Sequence, residues 1–170
     1  MKVNFLFLLL CILAVSSCRR SDNKKDCAGI ICDYSGMDFR FRLVDAAGKN
    51  LVYGPDARIQ VENISLSYND IKFELKSSPD SAKASAYIST SVQQVLSVMQ
   101  MRPDTKEFTV PVVMKINTAG VESSYLLTIK YGLNCCGYSL LGLYMDKAGT
   151  FYKPVNDSIS PYLINIPIGL

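Results

Sequence analysis

Residues 37–43 read Met37-Asp38-Phe39-Arg40-Phe41-Arg42-Leu43. Apolar groups at Met37, Phe39, Phe41 and Leu43 alternate with Asp38, Arg40 and Arg42, a period of two that puts four apolar side chains on one face of a β-strand. The turn cluster Asp45-Ala46-Ala47-Gly48-Lys49-Asn50 ends this strand, and Leu51, Val52 and Tyr53 resume it as far as Gly54-Pro55. Ala57, Ile59 and Val61 against Arg58, Gln60 and Glu62 predict another strand. The apolar phase then shifts to Ile64, Leu66 and Tyr68, which predicts a bend or bulge near Asn63. Asn69-Asp70 before Ile71, Phe73 and Leu75 predicts a tight hairpin.

Farther along, Ala84, Ala86 and Ile88 continue weakly after a loop containing Pro79. Residues 91–101 admit two readings. Val92, Val95, Leu96 and Met99 fall at helical spacing, while Val95, Ser97, Met99 and Met101 line one side of a strand; the reading leans to strand. Phe108, Val110, Val112, Met114 and Ile116 share one face, with Pro111 placing that strand at an edge or bulge. Thr118-Ala119-Gly120 turns the chain into Tyr125, Leu127, Ile129 and Tyr131. Tyr138, Leu140 and Tyr144 then oppose Leu141, Leu143 and Met145, and Tyr162, Ile164, Ile166 and Ile168 form a last strand. Short strands, frequent turns and few helices predict an all-β fold, an antiparallel β-sandwich of Ig-like or transthyretin-like type, as a single domain over residues 34–170.

The first 17 residues have a different character. Lys2 precedes an apolar run over residues 5–15, the length of a signal-peptide core and too short for a membrane-spanning helix. Val15-Ser16-Ser17-Cys18 closes it and resembles the lipobox of bacterial lipoproteins, with Val15 where leucine is commoner. The resemblance implies cleavage after residue 17 and acylation of Cys18 with palmitate-type chains. One chain binds a membrane marginally, at ~0.8 kcal/mol per buried methylene, whereas several anchor stably. The alternative is an ordinary signal peptide in which Cys18 is a bystander. Residues 18–33 then comprise the lipidated cysteine and a polar tether, Arg19-Arg20-Ser21-Asp22-Asn23-Lys24-Lys25. Arg19 is not the aspartate that retains enterobacterial lipoproteins at the inner membrane, so the expectation is an outer-membrane address, its face undecided.

Of six cysteines, Cys11 leaves with the signal and Cys18 carries lipid, which leaves Cys27, Cys32, Cys135 and Cys136. An even number in an exported domain predicts disulfides. The favoured pairing joins Cys27 and Cys32 to the adjacent pair, closing loops of about 100 residues for up to ~4.7 kcal/mol in the chain-entropy model. A local Cys27 to Cys32 bridge is the rival. No C-x-x-C spacing marks a redox or zinc site, so no metal and no cofactor are expected.

Composition narrows the chemistry further. With no histidine, the chain lacks the commonest general base and every histidine-dependent triad. There is no phosphate-binding glycine loop and no G-x-S-x-G elbow. The mature side chains carry 17 positive and 15 negative groups, scattered, which gives no basis for nucleic-acid binding.

Residues 39–64, FRFRLVDAAGKNLVYGPDARIQVENI, together with Cys135-Cys136-Gly137-Tyr138, resemble small lipoproteins of Bacteroides-type bacteria. That similarity covers about a third of the mature chain and implies a fold and an address, with no activity attached. Asp80-Ser81-Ala82 and Asp157-Ser158-Ile159 resemble the three-residue O-glycosylation sites of the same group, which makes Ser81 and Ser158 modification candidates; plain solvated turns are the other reading.

The expectation is therefore a non-enzymatic envelope lipoprotein, membrane-bound through its lipid, that binds or presents a protein or a glycan. One alternative is a carbohydrate-active hydrolase with two Asp or Glu side chains roughly 5–9.5 Å apart. The other is an assembly subunit using strand complementation through the apolar run at residues 162–170.

Overall fold

In a computed structural model, the description covers residues 37–78, 83, 85–99, 106–135, 137–146, 149–155 and 162–169. All of these belong to the compact unit Cys32–Leu170. The opening strand of the sequence argument is β1, Asp38–Val44, whose Phe39, Phe41 and Leu43 are fully buried while Asp38, Arg40 and Arg42 are partly exposed. Phe39 and Phe41 stack at 5.0 Å on its inner side.

The remaining strands are β2 (Ile64–Tyr68), β3 (Ile71–Lys72), β4 (Lys76–Ser77), β5 (Ile88–Ser91), β6 (Glu107–Thr118), β7 (Val121–Asn134), β8 (Gly137–Met145), β9 (Phe151–Tyr152) and β10 (Leu163–Pro167). They form a four-stranded sheet in the order β10-β1-β5-β4 and a six-stranded sheet in the order β3-β2-β6-β7-β8-β9. One continuous apolar core joins the inner faces, with Phe41, Ile88 and Ile164 from the first sheet meeting Val110, Met114, Leu127 and Ile129 from the second. This is an all-β sandwich. Every strand pairing is antiparallel except β1 with β10, where Phe41 lies opposite Ile164 in a parallel register.

The long hairpin β6–β7 follows the alternation read from the sequence, with Phe108, Val110, Val112, Met114 and Ile116 buried against Leu127, Ile129 and Tyr131. Its loop, Ala119-Gly120, has φ of 52° and 84°, both left-handed, and the Gly120 N–H donates to Asn117 Oδ1 at 3.1 Å. Pro111 sits on β6 beyond the stretch covered by β2, whose pairing reaches only Val113, so the missing N–H meets no partner strand there. The hairpin at Asn69-Asp70 forms as expected, with Tyr68 opposite Ile71.

Four expectations are corrected. Residues 93–99 form a helix, α1 (Gln93–Met99), rather than the favoured strand: Val92 and Val95 are fully buried and Met99 packs on the core, a spacing only a helix satisfies. Residues 51–53 and 57–61 are not strands. Leu51 caps the loop instead, its carbonyl accepting from the N–H groups of Arg58 and Ile59, and a 3-10 turn at Val61–Asn63 produces the phase shift before β2. On β8, Leu140 and Leu143 are both buried, because a bulge at Leu141 shifts the register between Lys130 and Tyr131. Tyr144 therefore faces away from the core, packing its ring 4.8 Å from Phe151. Gly142 makes room for this: a Cβ there would lie 2.5 Å from Phe151 Cζ. The C-terminal run is already paired to β1 within its own sheet, so residues 163–167 are not a free strand to donate.

Candidate functional site

Asn50 organises the backbone beside an open hollow on the surface. It is 5% exposed, its amide donates to the Ala86 carbonyl at 2.8 Å, and its Oδ1 accepts from the N–H groups of Val52 and Tyr53 at 3.0 and 3.2 Å. This buried tie replaces a ladder and fixes Val52 and Tyr53 as one wall of an open hollow of about 710 Å³. The facing wall is the irregular segment carrying Arg58, Ile59 and Glu62, with Ser77 of β4 alongside.

The hollow's exposed lining is mostly polar, over two buried apolar residues. Val52 and Ile59 are buried, Arg58 and Glu62 are exposed, and Tyr53 is 7% exposed with its hydroxyl buried and unpaired among the described residues. Burial pushes the Tyr53 phenol above its usual 10.0, the neighbouring Ser77 hydroxyl offsets part of this, and the Glu62 charge adds a further rise. At neutral pH the hydroxyl is therefore a protonated donor. A volume in the range of ligand sites and several convergent polar groups suit recognition of a bound molecule.

A smaller hollow of about 180 Å³ lies on the other side of β4. Asp38 and Glu74 are the two carboxylates that share it, together with Lys76 and Thr90. Among the described residues no three His, Cys, Asp or Glu side chains gather as a metal site would need.

Of the residues singled out by sequence, Cys18, Cys27, Cys32, Cys136, Ser81 and Ser158 lie outside the described residues. Cys135 is described, at the tight turn between β7 and β8, and no disulfide has both ends among the described residues. No described helix is long and apolar enough to cross a membrane. Of the tyrosines weighed as core or sugar platform, Tyr131 is fully buried, Tyr125 and Tyr138 pack on the core, and Tyr144 lies outside it. Tyr53, Asn50 and Thr90 were not distinguished in the sequence. Asn50 ends a turn cluster, Tyr53 ends the apolar triplet Leu51-Val52-Tyr53 and Thr90 stands between two serines, so none of the three carried a signal.

No family model, no curated protein and no solved structure matches the chain.

Proposed function

We propose that the chain is a lipid-anchored cell-envelope module that binds a partner, a protein or a glycan, rather than transforming a substrate. The observation that carries the binding half of this reading is the Tyr53 hollow: a buried phenol with no hydrogen-bond partner among the described residues, set beside the buried Val52 and Ile59 and the oppositely charged Arg58 and Glu62. Leaving such a hydroxyl unpaired costs about 1–3 kcal/mol, which a ligand's acceptor would recover. The anchoring half rests on the lipobox-like Val15-Ser16-Ser17-Cys18 and the polar tether after it. Its placement at the outer membrane, and its likeness to lipoproteins of Bacteroides-type bacteria, belong to the same proposal, as does a disulfide from Cys135 to Cys27 or Cys32.

Two measurements test the halves separately. In a double-membraned bacterium the intact chain is expected in the outer-membrane fraction and Cys18→Ser in the soluble fraction; identical partitioning overturns the anchor. For binding, native mass spectrometry of the chain mixed with solubilised envelope material is expected to show an adduct that Ser77→Tyr, which fills the hollow, abolishes. Absence of any adduct, or one that persists in Ser77→Tyr, overturns the assignment of this site.

A further inference from the structure

The free edge of the four-stranded sheet borders the Tyr53 hollow. β4 ends that sheet, and Ser77 of β4 lines the hollow. The direction of its peptide groups follows from the ladder. The Ser78 N–H donates to the Tyr87 carbonyl at 2.9 Å, which makes Ser78 and Tyr87 a hydrogen-bonded pair, and in an antiparallel ladder the next pair, Ser77 with Ile88, is not bonded. The other side of β5 agrees. The Val92 N–H donates to the Met37 carbonyl, so Ile88, in phase with Val92, turns its peptide groups toward β1 and not toward β4. The Ser77 N–H and carbonyl therefore point outward from the edge of the sheet, on an exposed residue.

The two edges of this sheet are treated differently. At β10, Val155 bridges to Leu163, its N–H donating to the Leu163 carbonyl, and Pro167 carries no donor. A covering segment and a proline are two of the ways an edge is closed to other chains. β4 has neither among the described residues, and Lys76 projects to the opposite face from Ser77, into the smaller hollow. Across the Tyr53 hollow, Gln60 is extended at φ −85° and ψ 147°, and its N–H has no partner among the described residues. Arg58 and Glu62 are exposed, opposite in sign, and neither makes an ion pair among the described residues. A neutral sugar leaves both charges unanswered, and a small ion answers only one. An extended peptide answers all of these groups: it presents an N–H and a carbonyl to Ser77, and an acidic and a basic side chain to Arg58 and Glu62.

We propose that the hollow takes an extended segment of a partner protein, which adds to β4 as a fifth strand of the sheet. The proposal rests on the reading of the Tyr53 hollow as a binding site and narrows its occupant to peptide. The Ser77 N–H donates to a carbonyl of the segment, and the Ser77 carbonyl accepts from one of its N–H groups. Residues of the segment on one side face Val52 and Ile59, while its charged residues meet Arg58 and Glu62.

The test uses the Cys18→Ser chain, isotopically labelled, titrated by NMR with two acetylated, amidated hexapeptides, Lys-Val-Thr-Val-Thr-Glu and its reversed sequence. Saturable shifts at millimolar peptide are expected for one of the two at Lys76, Ser77, Gln60 and their neighbours. The Ser77 amide proton is expected to move downfield and to exchange more slowly with solvent. Ser77→Pro removes only an outward N–H, so it is expected to keep the β4–β5 ladder and the thermal midpoint while weakening binding about fivefold or more. Ser77→Ala, which keeps the N–H, is expected to bind as the parent chain does. No shifts with either peptide, shifts without slowed exchange at Ser77, or equal affinity in Ser77→Pro overturn strand addition. So does a concentration-dependent dimer of the free chain that Ser77→Pro dissociates, because a second copy then occupies the edge. An envelope adduct that Ser77→Tyr abolishes and Ser77→Pro leaves intact overturns strand addition alone and keeps the hollow as a binding site.

Discussion

A single buried amide does at Asn50 what a strand does elsewhere. Its three hydrogen bonds satisfy one carbonyl and two N–H groups that no ladder reaches. Asn50→Ala leaves all three buried without partners, and the expected loss is about 2–4 kcal/mol, read from chemical denaturation. Tyr53 adds a dependence on alkali. Its phenol ionises at a higher pH folded than unfolded, so below about pH 10 both states are neutral and no stability depends on it. As pH rises past that point the unfolded chain loses its proton first, and stability falls until the folded phenol also ionises. Tyr53→Phe is expected to flatten the decline between about pH 9 and 11, measured by denaturation midpoints against pH. None of this was legible in the sequence. Asn50 closes a turn cluster and Tyr53 sits in a short apolar triplet, and neither position reveals that a side chain, not a partner strand, holds the backbone there.

At the level of elements, legibility followed the number of repeats of the pattern. β1 and β6 bury one face over their length and β7 does so from Leu127 to Tyr131, so a one-residue slip would expose those apolar groups, and alternation fixes them. In residues 91–101 only Val95 and Met99 fit both periods, and the deciding fact, that Val92 and Val95 reach the same core, is tertiary. β8 was misread in phase because a bulge at Leu141 is invisible to alternation, yet it is what turns Tyr144 outward. The β6–β7 turn carries a correctable cost: Ala119 holds φ 52° where residues with a Cβ are disfavoured by about 1–2 kcal/mol. Ala119→Gly is expected to stabilise the hairpin by about 0.5–1 kcal/mol after its extra unfolded-state entropy, seen as a raised thermal midpoint.

On the scale of the whole molecule, the sandwich class was legible and the pairing order was not, since nothing in the residues of β1 names β10 as its neighbour. That parallel pair is energetically central. Leu163, Ile164, Ile166 and Ile168 are each at most 3% exposed, and burying four such side chains contributes roughly 6–12 kcal/mol, comparable with the whole stability of a domain this size. A chain ending at Tyr162 is expected to show no cooperative unfolding transition by circular dichroism; a retained sharp transition would show that β10 is dispensable. The same pair also sets an order in time. β1 is made before β10, and β1 lacks a neighbour on that side until residues 163–167 exist. The four-stranded sheet consequently cannot close until residues 163–167 are available to β1, however early its other three strands fold.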